Sequence, residues 1–487
     1  MNDSFRSEIQ NGKSNVLYFL SLAGIIIVFV LFQIFLLSKE FYSISADEAG
    51  HILEGFSWYK GEASLYSIWL PFQKILYCIA FHIFYDLIWV PRILNMIFGI
   101  LTLLALVSLS NELFQIKNLS IISGFLSSIF FGLVIFSLIP LTEIYLFFFV
   151  IISLAFFFKW IKSKKEIFLW LTAIAAGLSN TTRYEAWLFS FAIFIAMLYY
   201  FYAENKSFKN YSLKIVLIGS VIFSFPLFWI FLSTINSNQA AGFVNQVSEK
   251  YSQGEFLMEI KGNVAYQFLI INWTSLNILG FIPLLYLSRK DQRIKTFALI
   301  FFSTILVMVV LTFVTKAMPT HNPWRLASIW SILLIPFTAH WIYTLLTDDK
   351  KYFRLSGIIL FIVLILFFYN QTMNYTDKSY VTKEDFVIGE YLEENAKFND
   401  SNSKILIEKD GWEYSSLLIT SQMPDRFITD KDFLKNNKSI NKIESDSLFA
   451  SNNIEYVIAR TNSQSFTNIE SLKKMKKFEH WIVYKLN

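Results

Sequence analysis

The residues best able to do chemistry lie between Ser45 and Trp58, where ionisable side chains recur at helical spacing. Ser45 followed three positions later by Glu48 is a capping box, which predicts that a helix begins there. At about 100° per residue, the apolar face of this helix carries Ala49, Ile52, Leu53 and Phe56. The opposite face carries Asp47, His51, Glu54 and Trp58. Such a helix lies on a bilayer surface, with its carboxylates facing water or a cavity.

Asp47 has two interpretations that the local pattern leaves open. In the first, Asp47 is a general base that removes a proton from an acceptor hydroxyl. In the second, Asp47 and Glu48 are ordinary first-turn acids that complement the helix dipole. A helix N-terminus favours the ionised carboxylate, which keeps a base available but weakens it unless burial compensates.

Further ionisable residues stand where apolar runs meet. Glu143 lies between two such runs, where a carboxylate usually faces the protein interior, although a solvated turn residue gives the same pattern. Arg183 could pair with Glu185, with Glu143 or with a ligand phosphate. Arg325 opens a later run and could bind a phosphate bidentately or extend to the membrane interface. Lys74 could contact a lipid phosphate or anchor a helix at the interface.

The residue types also indicate whether the chain could hold a metal or a cofactor. The single cysteine, Cys78, excludes an internal disulfide and a thiolate metal cluster. Asp47 and His51 form an i, i+4 pair that could hold a metal, but the histidines otherwise lack ligand spacing. No glycine-rich phosphate loop or nucleotide-binding domain is evident before Gln371. We therefore predict no metal and no cofactor, and a lipid-linked donor that reaches the site through the bilayer.

The elements that position these residues are predicted to be membrane spans. Of 487 residues, 55% are hydrophobic and only 16% are charged, which is too apolar for a soluble chain of this length. Apolar runs of about 17–23 residues, the length that crosses hydrocarbon, recur along the chain, and open strands cannot replace helices in lipid. About eleven spans are predicted, at 16–37, 93–109, 119–139, 144–158, 167–178, 186–202, 213–235, 268–287, 297–314, 326–346 and 355–369. The net charge of +5 lies in short loops, so it is an orientation signal and not a nucleic-acid footprint.

Basic loop residues predict the orientation of the chain. The lysines and arginines of 162–165, 206–214, 289–295 and 350–354 fall on one face if every span crosses, and the positive-inside rule makes that face cytoplasmic. The N-terminal tail joins them only if segment 71–89 does not cross. This segment is therefore predicted to lie along the outer surface, which places Asp47, Glu143, Arg183 and His321 outside.

The composition becomes charged and polar from Gln371 onward, with strand-like runs at 404–408, 454–459 and 481–486. The predicted fold class is an all-α polytopic membrane protein of about 11 spans with outer juxtamembrane helices and a small C-terminal soluble α/β domain. The predicted domains are a transmembrane module at 1–370 and an extracytoplasmic domain at 371–487. The composition favours a bacterial plasma membrane.

The order and sidedness of these motifs resemble the GT-C glycosyltransferases, in particular the protein O-mannosyltransferase and lipid A aminoarabinose-transferase superfamily (glycosyltransferase family 39-like). The matching features are the Asp47-Glu48 pair in the first outer loop and the amphipathic helix after it, with Pro71 in the next surface helix. They continue with Arg92 opening a span, Glu143 in the second outer turn, and the Arg183-Tyr184-Glu185-Ala186-Trp187 motif. The resemblance covers roughly the first 370 residues. The family often has a double proline where this chain has Trp69-Leu70-Pro71-Phe72, and the chain has no clear Asp-x-Asp motif in the second outer loop.

The resemblance implies an inverting transferase that uses a polyprenyl-phosphate sugar and a glycan, lipid or protein acceptor among the membrane lipids. The implied catalytic residues are Asp47, Glu48 and Glu143. The implied donor phosphate ligands are Lys74, Arg92 and Arg325. The implied substrate pocket contains His51, Arg183, Tyr184, Glu185 and His321.

Other classes of protein remain open at this stage. A transporter or flippase for lipid-linked saccharides would need polar residues near midplane and broken helices in related halves. The sequence does not distinguish a glycosyltransferase that uses a lipid-monophosphate sugar from an outer-face polymerase or ligase that uses lipid-diphosphate glycans. A receptor tail on an anchor would not need so many spans.

Overall fold

The structure is a computed structural model, and it describes residues 3–41, 46–62, 64, 66–67, 69–205, 212–237, 278–315, 323–376, 383–396, 403–409, 414–436, 449, 452–463 and 472–486. Up to residue 376 the described elements are all helices. They are α1 (Asp3–Ser38), α2 (Ala46–Tyr59), α3 (Phe72–Ile83), α4 (Trp89–Phe114), α5 (Lys117–Ile129), α6 (Phe131–Phe136), α7 (Glu143–Ser163), α8 (Glu166–Ser179), α9 (Glu185–Asn205), α10 (Ser212–Ser237), α11 (Ile278–Ser288), α12 (Gln292–Thr315), α13 (Pro323–Leu333), α14 (Ile335–Leu346) and α15 (Lys351–Thr376).

Seven of these helices are long and apolar enough to cross a membrane, or eight if the bent pair α13–α14 counts as one span. The chain is therefore a multi-pass helical membrane protein. Helix α8 has 14 residues and falls short of a straight crossing, and the predicted span at 268–287 lies partly outside the described residues. The predicted number of about eleven spans thus stays a prediction.

Two predicted spans are not continuous helices. The segment 119–139 is interrupted at Phe130, whose backbone is extended (φ −63°, ψ 121°), so that α5 ends at Ile129 and α6 ends at Phe136. The segment 326–346 bends by 44° where α13 gives way to α14. Pro336, within the first turn of α14, explains that break because proline cannot donate to the preceding turn.

The chain divides into two compact units, each described by itself. Unit 1 comprises Met1–Phe35, Ser64–Gln73 and Leu94–Asn374, and unit 2 comprises Leu36–Ala63, Lys74–Ile93 and Tyr375–Asn487. Unit 2 thus joins the C-terminal segment to the chain around α2 and α3. The predicted domain boundary after residue 370 stays a prediction.

Unit 2 contains a five-stranded sheet with the order β2-β1-β3-β5-β4. Its described elements are α16 (Lys383–Ala396), β1 (Lys404–Ile407), α17 (Tyr414–Thr420), β2 (Phe427–Thr429), α18 (Asp430–Asn436), β3 (Ile454–Arg460), β4 (Leu472–Lys477) and β5 (Trp481–Leu486). Strands β2, β1 and β3 are parallel, whereas β5 is antiparallel to β3 and to β4. Alternate side chains enter opposite cores: Ile405 and Ile407 pack on the side of α16, and Leu406 packs with Phe433 of α18. This confirms the predicted C-terminal α/β fold.

Helices α2 and α3 pack closely within unit 2. A Cβ on Gly55 would lie 2.7 Å from the Cβ of Tyr77, so the small residue permits the contact. Helix α3 has 12 residues, or about 18 Å at 1.5 Å per residue, which is too short to cross hydrocarbon. Its length agrees with the prediction that segment 71–89 does not span.

Candidate active site

A buried cluster of two arginines and two glutamates forms the strongest ionic feature of unit 1. Glu143, the first residue of α7, accepts hydrogen bonds through Oε1 from Arg183 Nη1 at 2.9 Å and from Arg325 Nε at 2.5 Å. Arg183 also donates to both oxygens of Glu185, with Nη2 at 2.6 Å from Oε1 and Nε at 3.2 Å from Oε2. Both carboxylates that the sequence offered Arg183 are therefore its partners. Arg325, a predicted phosphate ligand, contacts Glu143 as well.

Burial makes this cluster costly to perturb. Glu143 is fully buried, and the side chains of Arg183 and Arg325 are 12% and 7% exposed. Burial acts to lower the pKa of Arg183, but the carboxylates of Glu185 and Glu143 outweigh it and hold that pKa above its ordinary value. The Oε2 atom of Glu143 is buried and has no hydrogen-bond donor among the described residues. An ionised oxygen in that state can accept a hydrogen bond from a substrate hydroxyl or a water.

Asn95, which the sequence analysis missed, holds the turn before Glu143. Its Nδ2 donates to the carbonyl oxygens of Ile139 at 2.5 Å and Phe136 at 3.3 Å, and its Oδ1 accepts from Tyr145 Oη at 2.5 Å. Asn95 is fully buried in α4, where a polar amide inside an apolar span was the available signal.

Backbone contacts secure the same region from two further positions. Gln73 Nε2 donates to the carbonyl of Pro140 at 3.1 Å, and the amide of Phe72 donates to the carbonyl of Thr181 at 3.1 Å. The first two residues of α3 are therefore bonded to the turn that carries Glu143 and to the loop that carries Arg183.

Aromatic side chains surround the other predicted pocket residue of this loop, Tyr184. Trp229 Nε1 donates to Tyr184 Oη at 3.2 Å, and the Trp229 ring packs against Tyr66 at a centroid distance of 5.5 Å. Burial, opposed by the bond from Trp229, raises the pKa of Tyr184, so the phenol is neutral at pH 7. It can therefore donate a hydrogen bond to a ligand.

The acidic helix α2 belongs to unit 2, and its predicted apolar face is buried as expected, except that Leu53 is half-buried. Of the ionisable side chains of α2, Asp47 is half-buried, whereas Glu48 and His51 are buried at 2% and 5% exposure. Glu48 is thus not a solvated first-turn acid. Ser45, the predicted cap, lies outside the described residues.

Lys74 reaches the polar face of α2 from α3. Its Nζ lies 3.4 Å from Glu54 Oε2 and 5.8 Å from the centroid of Trp58, and its side chain is only 3% exposed. Burial lowers the pKa of Lys74 below its ordinary value, although the Glu54 carboxylate opposes this shift. Arg92, also in unit 2, is 1% exposed and donates through Nη1 to the carbonyl of Ile88 at 2.7 Å.

Within unit 2, the C-terminal segment bonds to residues that follow α2 and α3 in the chain. Gln422 adopts a left-handed backbone (φ 59°), which is unfavourable for a non-glycine residue. In this conformation its carbonyl accepts from Tyr85 Oη at 2.7 Å and its side-chain oxygen accepts from the amide of Leu87 at 2.8 Å. Lys60, next to α2, forms an ion pair with Asp425 at 3.0 Å.

One predicted pocket residue remains, His321, and it lies outside the described residues. Among the residues that the structure describes, the one group spaced to hold a metal is Glu384, Glu479 and His480, none of which was a predicted site residue.

The spans and the C-terminal sheet make the chain a polytopic membrane protein with a small α/β domain, and comparison with solved structures shows a GT-C-like fold. The chain is similar to the crystal structure of ArnT from Cupriavidus metallidurans bound to undecaprenyl phosphate, with a TM-score of 0.63 and 11% identity over 95% of this chain and 98% of that chain. The apo state of the same enzyme gives a TM-score of 0.61 and 10% identity over 97% and 98% of the two chains. The Archaeoglobus fulgidus oligosaccharyltransferase in complex with zinc and sulfate gives a TM-score of 0.47 and 15% identity over 86% and 64%, which is too low for structural inference. No protein-family model matches the chain, and no curated protein matches its sequence.

Proposed function

We propose that the chain is an integral membrane glycosyltransferase that moves a sugar from a polyprenyl-phosphate donor to a hydroxyl of a glycan, lipid or protein. The observation that carries this proposal is the extent of the fold shared with a protein crystallised with undecaprenyl phosphate, which covers 95% of this chain. Because one fold can host several reactions, the buried ionic site must also suit the chemistry.

The proposed reaction needs one base and one anion site. The acceptor oxygen attacks C1 of the sugar with inversion, the bond between C1 and the phosphate oxygen breaks, and the polyprenyl phosphate leaves with the bonding electrons. Asp47 takes the proton of the acceptor hydroxyl. A half-buried carboxylate can meet a substrate and still exchange protons with solvent, which supports this role.

Lys74, Arg92 and Arg325 are proposed to stabilise the charge of the departing phosphate. Lys74 and Arg92 are almost fully buried, and a cation in such a low-dielectric environment interacts strongly with a nearby anion. Fixed cations of this kind favour a developing anion because they need no reorganisation when the bond breaks.

Glu143 is proposed to bind the acceptor or the sugar, because its Oε2 atom is buried without a donor among the described residues. The carboxylate is held by Arg183 and Arg325, so its direction is fixed before a ligand arrives. His51, Tyr184, Glu185 and His321 are proposed, from the sequence, to contact the substrate.

The reaction is proposed to occur on the extracytoplasmic face of a bacterial plasma membrane. Support comes from the lysine-rich loops, which the positive-inside rule places in the cytoplasm. The test uses a Cys78→Ser background with Asp47→Cys, labelled in intact cells by a membrane-impermeant thiol reagent. Labelling is expected only from outside, and labelling that requires cell lysis contradicts the orientation.

Activity is tested with purified protein in liposomes supplied with undecaprenyl-monophosphate and undecaprenyl-diphosphate sugars. Asp47→Asn is expected to fold normally and to lose about 10²–10⁴ of the transfer rate. Asp349→Asn makes the same chemical change at an exposed position and should keep the full rate. Wild-type transfer by Asp47→Asn contradicts the assignment of the base. Use of only the diphosphate donor identifies the rival ligase or polymerase, and donor movement across the bilayer without transfer identifies a flippase.

A further inference from the structure

A groove of about 520 Å³ runs between α9 and α12 of unit 1, apart from the ionic cluster. Its walls are apolar, and several of their side chains point outward, among them Phe191 at 57% and Leu299 at 62% exposure. Ala192 and Ala196 line the α9 side, where their small size leaves the space open. Both helices are membrane spans, so the groove opens toward lipid.

One end of the groove is polar and basic. Tyr200 Oη and Thr296 Oγ1 lie 3.1 Å apart, which fixes the C-terminal part of α9 beside the start of α12. Lys295 and Gln292 line the groove at this end. Lys164 lies nearby, with its Nζ 5.9 Å from the centroid of the Tyr200 ring.

The acidic residue at the start of α12 does not cancel this positive charge. Asp291 Oδ2 is already paired with Arg293 Nη2 at 2.9 Å. Among the described residues that line the groove, Lys295 therefore supplies a positive charge at this end, and no acidic residue lines it.

The dimensions suit a single hydrocarbon chain. From Leu188 to Tyr199 the groove follows α9 for about 16 Å, and from Gln292 to Val307 it follows α12 for about 22 Å, at 1.5 Å per residue. Half of a bilayer core is about 15 Å thick, so both walls of the groove are long enough to cover an acyl chain in one leaflet.

We propose that this groove is a selective site for an anionic phospholipid, with one acyl chain between α9 and α12 and the phosphate beside Lys295. A basic end adjoining an apolar slot complements a lipid that has a negative head group and a long tail. In the orientation that the loop lysines predict, Lys295 faces the cytoplasmic leaflet, where anionic lipids are enriched.

The test measures lipid retained by the purified full-length protein, by native mass spectrometry. The protein is first reconstituted in nanodiscs of phosphatidylcholine with a small fraction of phosphatidylglycerol. Lys295→Gln is compared with Lys351→Gln, an exposed lysine outside the groove. Ala196→Phe, which fills the groove, is compared with Ala203→Phe, an exposed alanine of α9 that does not line it.

Wild-type protein is expected to retain phosphatidylglycerol in preference to phosphatidylcholine. Lys295→Gln should weaken that preference about fivefold, the value of one lysine near a charged head group. Ala196→Phe should abolish it, and both control variants should match wild type. Equal retention by Ala196→Phe and wild type overturns the site, and so does loss of both lipids alike in Lys295→Gln. Displacement of phosphatidylglycerol by added undecaprenyl phosphate would also overturn it, because the groove would then belong to the donor.

Discussion

Replacement of Glu143 by glutamine tests whether the buried ionic cluster of unit 1 stabilises the protein through its charge. In this cluster Glu143 pairs with both Arg183 and Arg325, and Arg183 also pairs with Glu185. Glu143→Gln keeps the shape and one hydrogen-bond acceptor but removes the negative charge that the two guanidinium groups share.

The expected cost follows from burial. Loss of one partner of a buried ion pair leaves an uncompensated charge and typically costs about 3–5 kcal/mol. Because Glu143 is fully buried and bonded to both arginines, Glu143→Gln should reach this range.

Asp291→Asn provides the matched control. Asp291 and Arg293 are also 2.9 Å apart, but their side chains are 33% and 27% exposed. A pair at that exposure is screened by water, so Asp291→Asn should cost about 1 kcal/mol or less. The assay is the free energy of unfolding in mixed micelles titrated with SDS, with the helical circular dichroism signal as the readout.

A double variant separates charge from shape. Glu143→Leu with Arg325→Met removes one charge of each sign and leaves the Arg183–Glu185 pair, so it should recover most of the stability that Glu143→Gln loses. Equal losses in Glu143→Gln and Asp291→Asn, or a double variant no more stable than the single one, would refute the argument from uncompensated charge.

Three further predictions concern other parts of the chain. Asn95→Leu removes the donor to the buried carbonyl of Phe136 and an acceptor of the buried Tyr145 hydroxyl, so the free energy of unfolding should fall by about 1–3 kcal/mol and the sugar-transfer rate should fall with it. Gly177→Ala places a Cβ 2.8 Å from a backbone oxygen of α10, so it should lower the free energy of unfolding in the SDS titration by about 1–3 kcal/mol. In the control Gly24→Ala the added Cβ meets nothing within 4 Å, so the free energy of unfolding should stay the same or rise. The hydrogen bond to Glu384 raises the pKa of His480 above its ordinary value. The pair therefore stabilises the fold fully below the ordinary histidine pKa of about 6.5, and this stabilisation disappears as pH rises through the raised pKa. An NMR titration of His480 should show the raised pKa, and Glu384→Gln should remove the shift.

The sequence predicts the seven long apolar helices because lipid imposes one requirement on every crossing segment. Hydropathy cannot find the break at Phe130, because the residues on both sides are apolar and no proline marks it. The bend between α13 and α14 was visible in principle through Pro336. Strand β4 was missed because its exposed lysines show no apolar alternation at the sheet edge.

The ionic cluster around Glu143 shows which contacts can be predicted from the sequence and which cannot. The pairing of Arg183 with Glu185 could be read from adjacency, and Glu143 was a stated candidate. The contact between Arg325 and Glu143 joins residues 182 positions apart, so only the packed fold can reveal it. The partners of Asn95 are hidden for the same reason, since they are backbone carbonyls 41 and 44 positions away and the hydroxyl of Tyr145, 50 positions away.

The choice between Asp47 and Glu48 as the proposed base depends on how α2 is rotated about its axis, which tertiary packing decides. Adjacent helical residues point about 100° apart, so only one of the two can share a face with Glu54 and Trp58. Glu48 is 2% exposed, whereas Asp47 is half-buried and lies on the face that Lys74 meets. A base must be accessible to both a bulky acceptor and solvent, so the half-buried Asp47 is proposed as the base in preference to the buried Glu48. If Glu48→Gln lost transfer at unchanged stability while Asp47→Asn kept it, this rotational argument would be wrong.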